Sequence, residues 1–219
     1  MMKIRGILWL LGAALVGTAA CTQVPVKTQK TFAECVADPA PYLVLDWENF
    51  DQGAAPDGRV WGWREIAKKQ GCETAAADLV AMWAKQKGPA LDRSTQLIMS
   101  FHEGQIRAMG GDYVKAAALI EAGRADWDEK PEGAAYVDAT LAFLRSDRPA
   151  FMAARERMMA VPEPPDFADL QRQYREQAGF EPKWPMYIET VDKMVACWGK
   201  GYTGMPDGDC EWQPAIRKS

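Results

Sequence analysis

Three carboxylates stand close together near the start of the chain. Asp46, Glu48 and Asp51 share one short stretch with Trp47. Two carboxylates beside an apolar ring suit glycoside hydrolysis, because the apolar neighbour keeps one acid protonated. The alternative is a solvated, turn-rich segment whose aromatic residues anchor it to neighbouring helices. The two interpretations differ in whether the carboxylates face one shared cleft.

His102 is the only histidine in the chain. The sequence His-Glu-Gly-Gln lacks the second histidine of a zinc-protease helix. Without another histidine, serine-type and cysteine-type triads have no obvious base partner. A lone histidine in a helical segment is more often packed or solvated than catalytic. We therefore expect no catalytic residue, no metal ligand and no cofactor. The alternative is a glycan-acting enzyme or a sugar-binding protein of the cell envelope that uses the three carboxylates and nearby tryptophans.

The first twenty residues have the pattern of an export signal. Lys3 and Arg5 give a positively charged start, and residues 7–20 are apolar or small throughout. A helix of that apolar stretch spans roughly 21 Å, short of the ~30 Å hydrocarbon core of a bilayer. A cleaved signal peptide therefore fits better than a permanent membrane span.

The residues just before Cys21 (Leu15-Val16-Gly17-Thr18-Ala19-Ala20) resemble a bacterial lipobox. In that family the signal is cut before a cysteine that receives a diacylglyceryl group. The resemblance implies lipidation of Cys21 and a periplasmic protein, and Thr22 in place of an aspartate implies the outer membrane. The alternative is ordinary signal-peptidase cleavage after Ala20, which would give a freely soluble secreted protein.

Five cysteines are an odd number for an exported chain. If Cys21 carries lipid, four remain that can pair in an oxidising compartment. We favour Cys35–Cys72 and Cys197–Cys210, because each pair lies within one terminal section of the chain. A zinc site is the competing interpretation, but the sequence contains no Cys-x-x-Cys spacing.

The charge of the chain argues against one class of partner. Acidic residues outnumber basic ones, 30 to 26, and the basic residues form no cluster. A protein that binds the phosphate backbone needs a concentrated basic surface, so we expect no nucleic-acid partner.

The segments that position these residues are predicted to be helices arranged in pairs. Helical periodicity, with Gly or Pro at the breaks, predicts an all-α body. We expect paired segments at 59–70 and 73–86, 92–109 and 112–123, and 132–145 and 148–159, followed by 166–177 and 186–198. Residues 32–58 read as irregular, with one short extended run at 42–45. We divide the chain into a signal peptide (1–20), a flexible tether (21–31), an irregular N-terminal section (32–58), a helical-hairpin region (59–160) and C-terminal helices with a disulfide-closed tail (161–219).

Residues 104–131 resemble one tetratricopeptide repeat. The match rests on small residues at the helix crossing, the turn between the helices and the terminal proline: Gly104, Gly111-Asp112-Tyr113, Ala116, Ile120 and Pro131. The resemblance implies antiparallel hairpins stacked in a right-handed arrangement, between irregular ends stapled by the disulfides. In that family the first helix of each pair lines a concave groove, which here implies Arg93, Gln96 and His102.

Tryptophans add a second kind of binding residue. The chain has nine, and core packing explains at least one of the three in the first predicted hairpin, Trp61, Trp63 and Trp83. Trp127, between two predicted hairpins, is a better candidate for an exposed anchor. Together these features predict a non-enzymatic envelope lipoprotein whose helical hairpins bind a protein or peptide partner.

Overall fold

The computed structural model describes residues 28–53 and 59–202. The predictions for the signal peptide, Cys21 and Cys210 lie outside these residues. Within the described part every regular element is helical, with no β-strand, which confirms the all-α class. The α-helices are α1 (Phe32–Cys35), α2 (Ala40–Leu43), α3 (Trp47–Asp51), α4 (Trp63–Ala67), α5 (Glu73–Lys87), α6 (Arg93–Met109), α7 (Tyr113–Ala122), α8 (Pro131–Leu144), α9 (Arg148–Met159), α10 (Phe167–Ala178) and α11 (Ile188–Ala196). Short 3-10 helices lie at Gly88–Ala90 and Arg124–Trp127.

The starts of the central helices are capped by aspartates. Asp92, Asp112 and Asp147 each accept a hydrogen bond from a backbone N–H three residues further on, at 2.9, 3.1 and 3.0 Å. Such a cap satisfies one of the N–H groups that a helix leaves without an intrahelical partner. The predicted boundaries of α6, α7 and α9 therefore agree with the structure to within a residue or two.

The section 32–58, predicted to be irregular, contains the three short helices α1 to α3. The extended run predicted at 42–45 is wrong, because Tyr42 and Leu43 belong to α2. Helix α2 begins after Pro39 and has no side-chain cap, whereas the helices on either side of it are capped. A capping box joins Thr31 to Glu34 at the start of α1, and the Asp46 carboxylate caps α3 by accepting from the Asn49 N–H at 2.8 Å.

Helix α4 is shorter than the predicted segment 59–70 because of Gly62. This residue has φ +62°, and a Cβ placed on it would lie 2.1 Å from the carbonyl oxygen of Phe50. Only glycine fits such a close approach in the left-handed region. The chain therefore turns against α3 at Gly62, and the helix begins at Trp63.

Two apolar clusters form the core, and α6 contributes to both. One cluster surrounds α5 and holds, among others, Phe50, Trp63, Leu79, Trp83 and Ile106. The other surrounds α8 and holds, among others, Phe101, Tyr136, Phe143, Phe151 and Met194. Helix α6 packs on both α5 and α7, and α8 packs on α9. Among the described residues no helix is long and apolar enough to cross a membrane.

Helices α6 and α7 approach closely at the position where the repeat resemblance requires a small residue. A Cβ placed on Gly104 would lie 2.7 Å from the side chain of Ile120. Nearby, the buried Arg107 joins three helices: it contacts Asp78 of α5 at 2.7 Å and Glu103 of its own helix at 2.9 Å, and Lys115 of α7 lies 3.9 Å from Glu103.

The first residues that the structure describes are hydrogen-bonded beside the start of α5. The Lys30 N–H donates to the Gly71 carbonyl at 2.7 Å, and the side chain of Gln29 bonds with Glu73 and with the Thr74 N–H. The predicted disulfide Cys35–Cys72 is present at the same place. Cys197 is also disulfide-bonded, to a partner outside the described residues.

Candidate binding site

Asp51, at the end of α3, is the centre of a buried hydrogen-bond cluster. Its side chain is fully buried. One carboxylate oxygen accepts from the Trp63 indole N–H at 2.8 Å and from His102 Nδ1 at 2.7 Å. The other oxygen accepts from the Gln52 amide, and the Asp51 carbonyl accepts from Arg64 Nε at 2.7 Å. One residue thus fixes side chains from α3, α4 and α6.

These bonds keep the Asp51 carboxylate ionised. Burial raises the pKa of Asp51, but the hydrogen bond and charge of His102, with smaller contributions from Trp63 and Arg64, outweigh burial and leave its pKa below the ordinary value. An ionised carboxylate only accepts, so His102 donates through Nδ1. The ring of His102 also packs against that of Trp63, with 5.8 Å between centroids.

The pairing of His102 with a buried carboxylate resembles the base and orienting acid of a hydrolase triad. A nucleophile is the missing part. His102 Nε2 has no hydrogen-bond partner in the described part of the chain, and therefore no serine, threonine or cysteine there is bonded to it. Residues 28–53 and 59–202 also bring no three His, Cys, Asp or Glu side chains together in a metal-binding group. Within the described residues the pair joins α3 to α6.

A cavity of about 880 Å³ lies between α4, α5 and α6. Its apolar wall comes from Val60, Trp63, Ala67, Ile106 and Met109. The polar groups include the amides of Gln52, Gln70 and Gln105, together with Arg64, Lys68, Glu73 and Tyr202. This size and mixed lining are typical of pockets that bind small molecules or short peptide segments.

The side of the cavity formed by Gln105 is fixed by two tyrosines. The Gln105 amide donates to the Tyr136 hydroxyl at 2.9 Å and to the Tyr202 hydroxyl at 3.1 Å. Burial raises the pKa of Tyr202 to about 12, so this hydroxyl is neutral at physiological pH. The amide oxygen of Gln105 makes no hydrogen bond with a described residue and is available as an acceptor.

Three residues that line the cavity are the ones that contact Asp51. Gln52, Trp63 and Arg64 each donate to it, to a carboxylate oxygen or to its carbonyl. Asp51 itself does not line the cavity. It is therefore a positioning residue, which holds one wall of the cavity in place against α6.

The structure separates the three carboxylates singled out in the sequence. Asp46 is exposed and caps α3, Glu48 is exposed on the same helix, and Asp51 is buried beneath the cavity wall. They do not face one cleft.

The four residues predicted to bind a partner also face different neighbours. Arg93 is paired with Asp126 at 2.7 Å, and the Gln96 amide donates to the Gly88 and Leu91 carbonyls. Trp127 is half-buried and its ring packs against Phe101. Only His102 adjoins the cavity, through Trp63. Their part in partner binding stays a prediction.

Sequence reasoning missed Gln52 and Arg64 and misjudged Asp51. Asp51 and His102 lie 51 residues apart, and no periodic pattern joins α3 to α6. The available signal was the density of tryptophans around residues 47–63, which marked a packed junction.

No family model matches the chain, and no curated protein or solved structure matches it.

Proposed function

We propose that this protein is a non-enzymatic binding module of the bacterial cell envelope, which holds a peptide segment of a partner protein in the cavity between α4, α5 and α6. One observation carries the proposal: a large cavity of mixed lining, with one wall fixed by the buried Asp51 cluster. A pocket that is formed before its ligand arrives loses less conformational entropy on binding.

The lining suits a peptide because it offers both kinds of contact that a peptide needs. The amides of Gln52 and Gln70 stand among apolar surfaces from Val60 and Ala67. Amide side chains donate to and accept from a peptide backbone, while apolar walls accommodate a side chain. The lack of a bonded nucleophile at His102 in the described residues favours binding over catalysis.

Export, anchoring and repeat-like stacking belong to the same proposal. The lipobox-like residues before Cys21 and the pairing of Cys35 with Cys72 support an oxidising compartment outside the cytoplasm. The close contact of Gly104 with Ile120, and the packing of α6 on α7 and of α8 on α9, support a tetratricopeptide-like stack.

The anchor has a direct test. Mass spectrometry of the protein made in a Gram-negative host should show a mature chain that begins at an acylated Cys21, and Cys21→Ala should release the protein from the membrane fraction. A wild-type chain with an intact Met1, or one cleaved before Cys21 without a lipid, would contradict the proposed anchor.

Filling the cavity tests the binding function. Ala67 is half-buried and lines the cavity, so Ala67→Trp places a large ring in the space of the ligand. Peptides enriched on the wild-type protein from a random phage-displayed library should bind Ala67→Trp at least about tenfold more weakly, a loss of about 1.4 kcal/mol. Isothermal titration calorimetry with the synthetic peptides measures the change.

The matched control is Ala153→Trp, because Ala153 is exposed on α9 and does not line the cavity. This variant should bind the peptides as the wild type does, and thermal unfolding should show that both variants fold. Equal affinity of Ala67→Trp and Ala153→Trp would place the peptides elsewhere and refute the cavity proposal.

A further inference from the structure

We propose that the cavity recognises a carboxylate, which pairs with the terminal nitrogens of Arg64. This inference rests on the proposed binding function and names its ligand chemistry: a peptide whose C-terminal carboxylate, or an Asp or Glu side chain, enters the cavity.

The guanidinium of Arg64 is held in position from two sides. Its Nε donates to the Asp51 carbonyl at 2.7 Å, and the group lies over the Trp63 ring, 4.2 Å from the ring centroid. These contacts fix the plane of the group before any ligand arrives. Its terminal nitrogens, Nη1 and Nη2, donate to no other described residue, although Arg64 is half-buried and lines the cavity.

No carboxylate in the described part of the chain lies within ion-pair distance of Arg64. The Asp51 carboxylate interacts with Arg64 through its charge but accepts hydrogen bonds from His102, Trp63 and Gln52 instead. Burial consequently lowers the pKa of Arg64 despite the opposing effect of Asp51. A desolvated cation without a hydrogen-bonded anion is costly, and an incoming carboxylate offsets that cost.

The shape of the available donors selects a carboxylate among anions and neutral groups. The two terminal nitrogens of a guanidinium form a planar fork that matches the two oxygens of a carboxylate. The acid in the lining, Glu73, is buried and accepts a hydrogen bond from Gln29.

The test uses paired probes that differ only in the carboxylate. Phenylacetate and phenylacetamide serve as small probes, and calorimetry measures their affinity for the full chain. We expect phenylacetate to bind at least about tenfold more tightly than the amide, since charge-assisted bonds are roughly twice as strong as neutral ones. Arg64→Gln should abolish this preference, and Arg64→Lys should restore part of it by returning the charge without the fork.

Peptides distinguish the two sources of the carboxylate. Each selected peptide is compared with its C-terminally amidated form and with its Asp→Asn or Glu→Gln form. If amidation weakens binding to the wild type but not to Arg64→Gln, the ligand is a chain terminus; if only the side-chain change does so, the ligand is an internal acidic residue. Arg145→Gln is the matched control, because Arg145 is exposed, pairs with Glu121 and does not line the cavity.

The outcomes separate this inference from the proposed function. If selected peptides bind in the cavity but neither modification nor Arg64→Gln changes their affinity, the carboxylate inference is overturned while peptide binding stands. If no peptide binds but phenylacetate shows a preference that depends on Arg64, the carboxylate inference stands and the peptide proposal fails. Thermal unfolding of Arg64→Gln and Arg64→Lys shows whether each variant is folded when it is assayed.

Discussion

Replacing Asp51 by alanine is expected to lower the free energy of unfolding by about 3 to 5 kcal/mol. The change removes the acceptor shared by the Trp63 indole and His102 and the partner of the Gln52 amide. Each buried donor left without an acceptor costs about 1 to 3 kcal/mol. Urea unfolding at neutral pH, followed by tryptophan fluorescence, measures the loss.

Asp51→Asn separates the charge of Asp51 from its shape. The pKa of Asp51 in the folded protein lies below its ordinary value, so the unfolded chain takes up a proton at a higher pH than the folded one. The stability that this group contributes is complete above about pH 4, near the unfolded pKa, and is lost as the pH falls through the folded pKa.

The asparagine variant does not titrate at position 51, so its stability should fall less than that of the wild type between about pH 5 and pH 3. Asp46→Asn is the matched control, because Asp46 is exposed and asparagine caps a helix equally well. A stability of Asp51→Asn that falls with acid as steeply as that of the wild type would show that the buried carboxylate is not the group responsible.

Removing the Cys35–Cys72 disulfide is expected to cost about 4 kcal/mol. The bond joins residues 37 positions apart, and closing a loop of that length in the unfolded chain accounts for a stabilisation of about this size. The loop contains Gln52, Trp63 and Arg64, which form one wall of the cavity. The Cys35→Ala/Cys72→Ala variant should therefore lose affinity for the selected peptides together with stability.

Denaturant unfolding of the double variant beside the wild type gives the cost, with exposed Ser94→Ala as a control that leaves the disulfide intact. The other buried disulfide cysteine, Cys197, lies outside the 35–72 loop and is unchanged in both proteins. A double variant as stable as the wild type, with full peptide affinity, would show that noncovalent contacts alone hold this wall.

The helices of the body were predictable because their signals are local. Asp92 and Asp112 mark helix starts, and Gly110 and Gly111 mark the break between α6 and α7. The signals failed where a tertiary contact decides the backbone. The periodicity of residues 59–70 continues through Gly62, but the close approach of Gly62 to Phe50 delays the start of the helix to Trp63.

The binding site was not predictable from the same signals. From the sequence alone, Asp51 is one of three acids in a segment expected to be an exposed turn, and His102 is an isolated histidine. Their hydrogen bond depends on α3 packing beside α6, which no residue pattern in either segment encodes. The role of Arg64 could not be predicted either, because an arginine on a short helix is usually solvated. Only its contacts with Trp63 and Asp51 show that its guanidinium is held in place.

The attachment of Gln29 and Lys30 beside Gly71 and Glu73 limits how far the cavity can stand from a bilayer. Thr28 lies seven positions after Cys21, and a fully extended chain of that length reaches about 25 Å. With the proposed lipid on Cys21, the attachment point beside Glu73 stays within about 25 Å of the anchored cysteine. A partner must then present its carboxylate near the membrane surface, and a segment deep in the periplasm would be out of reach.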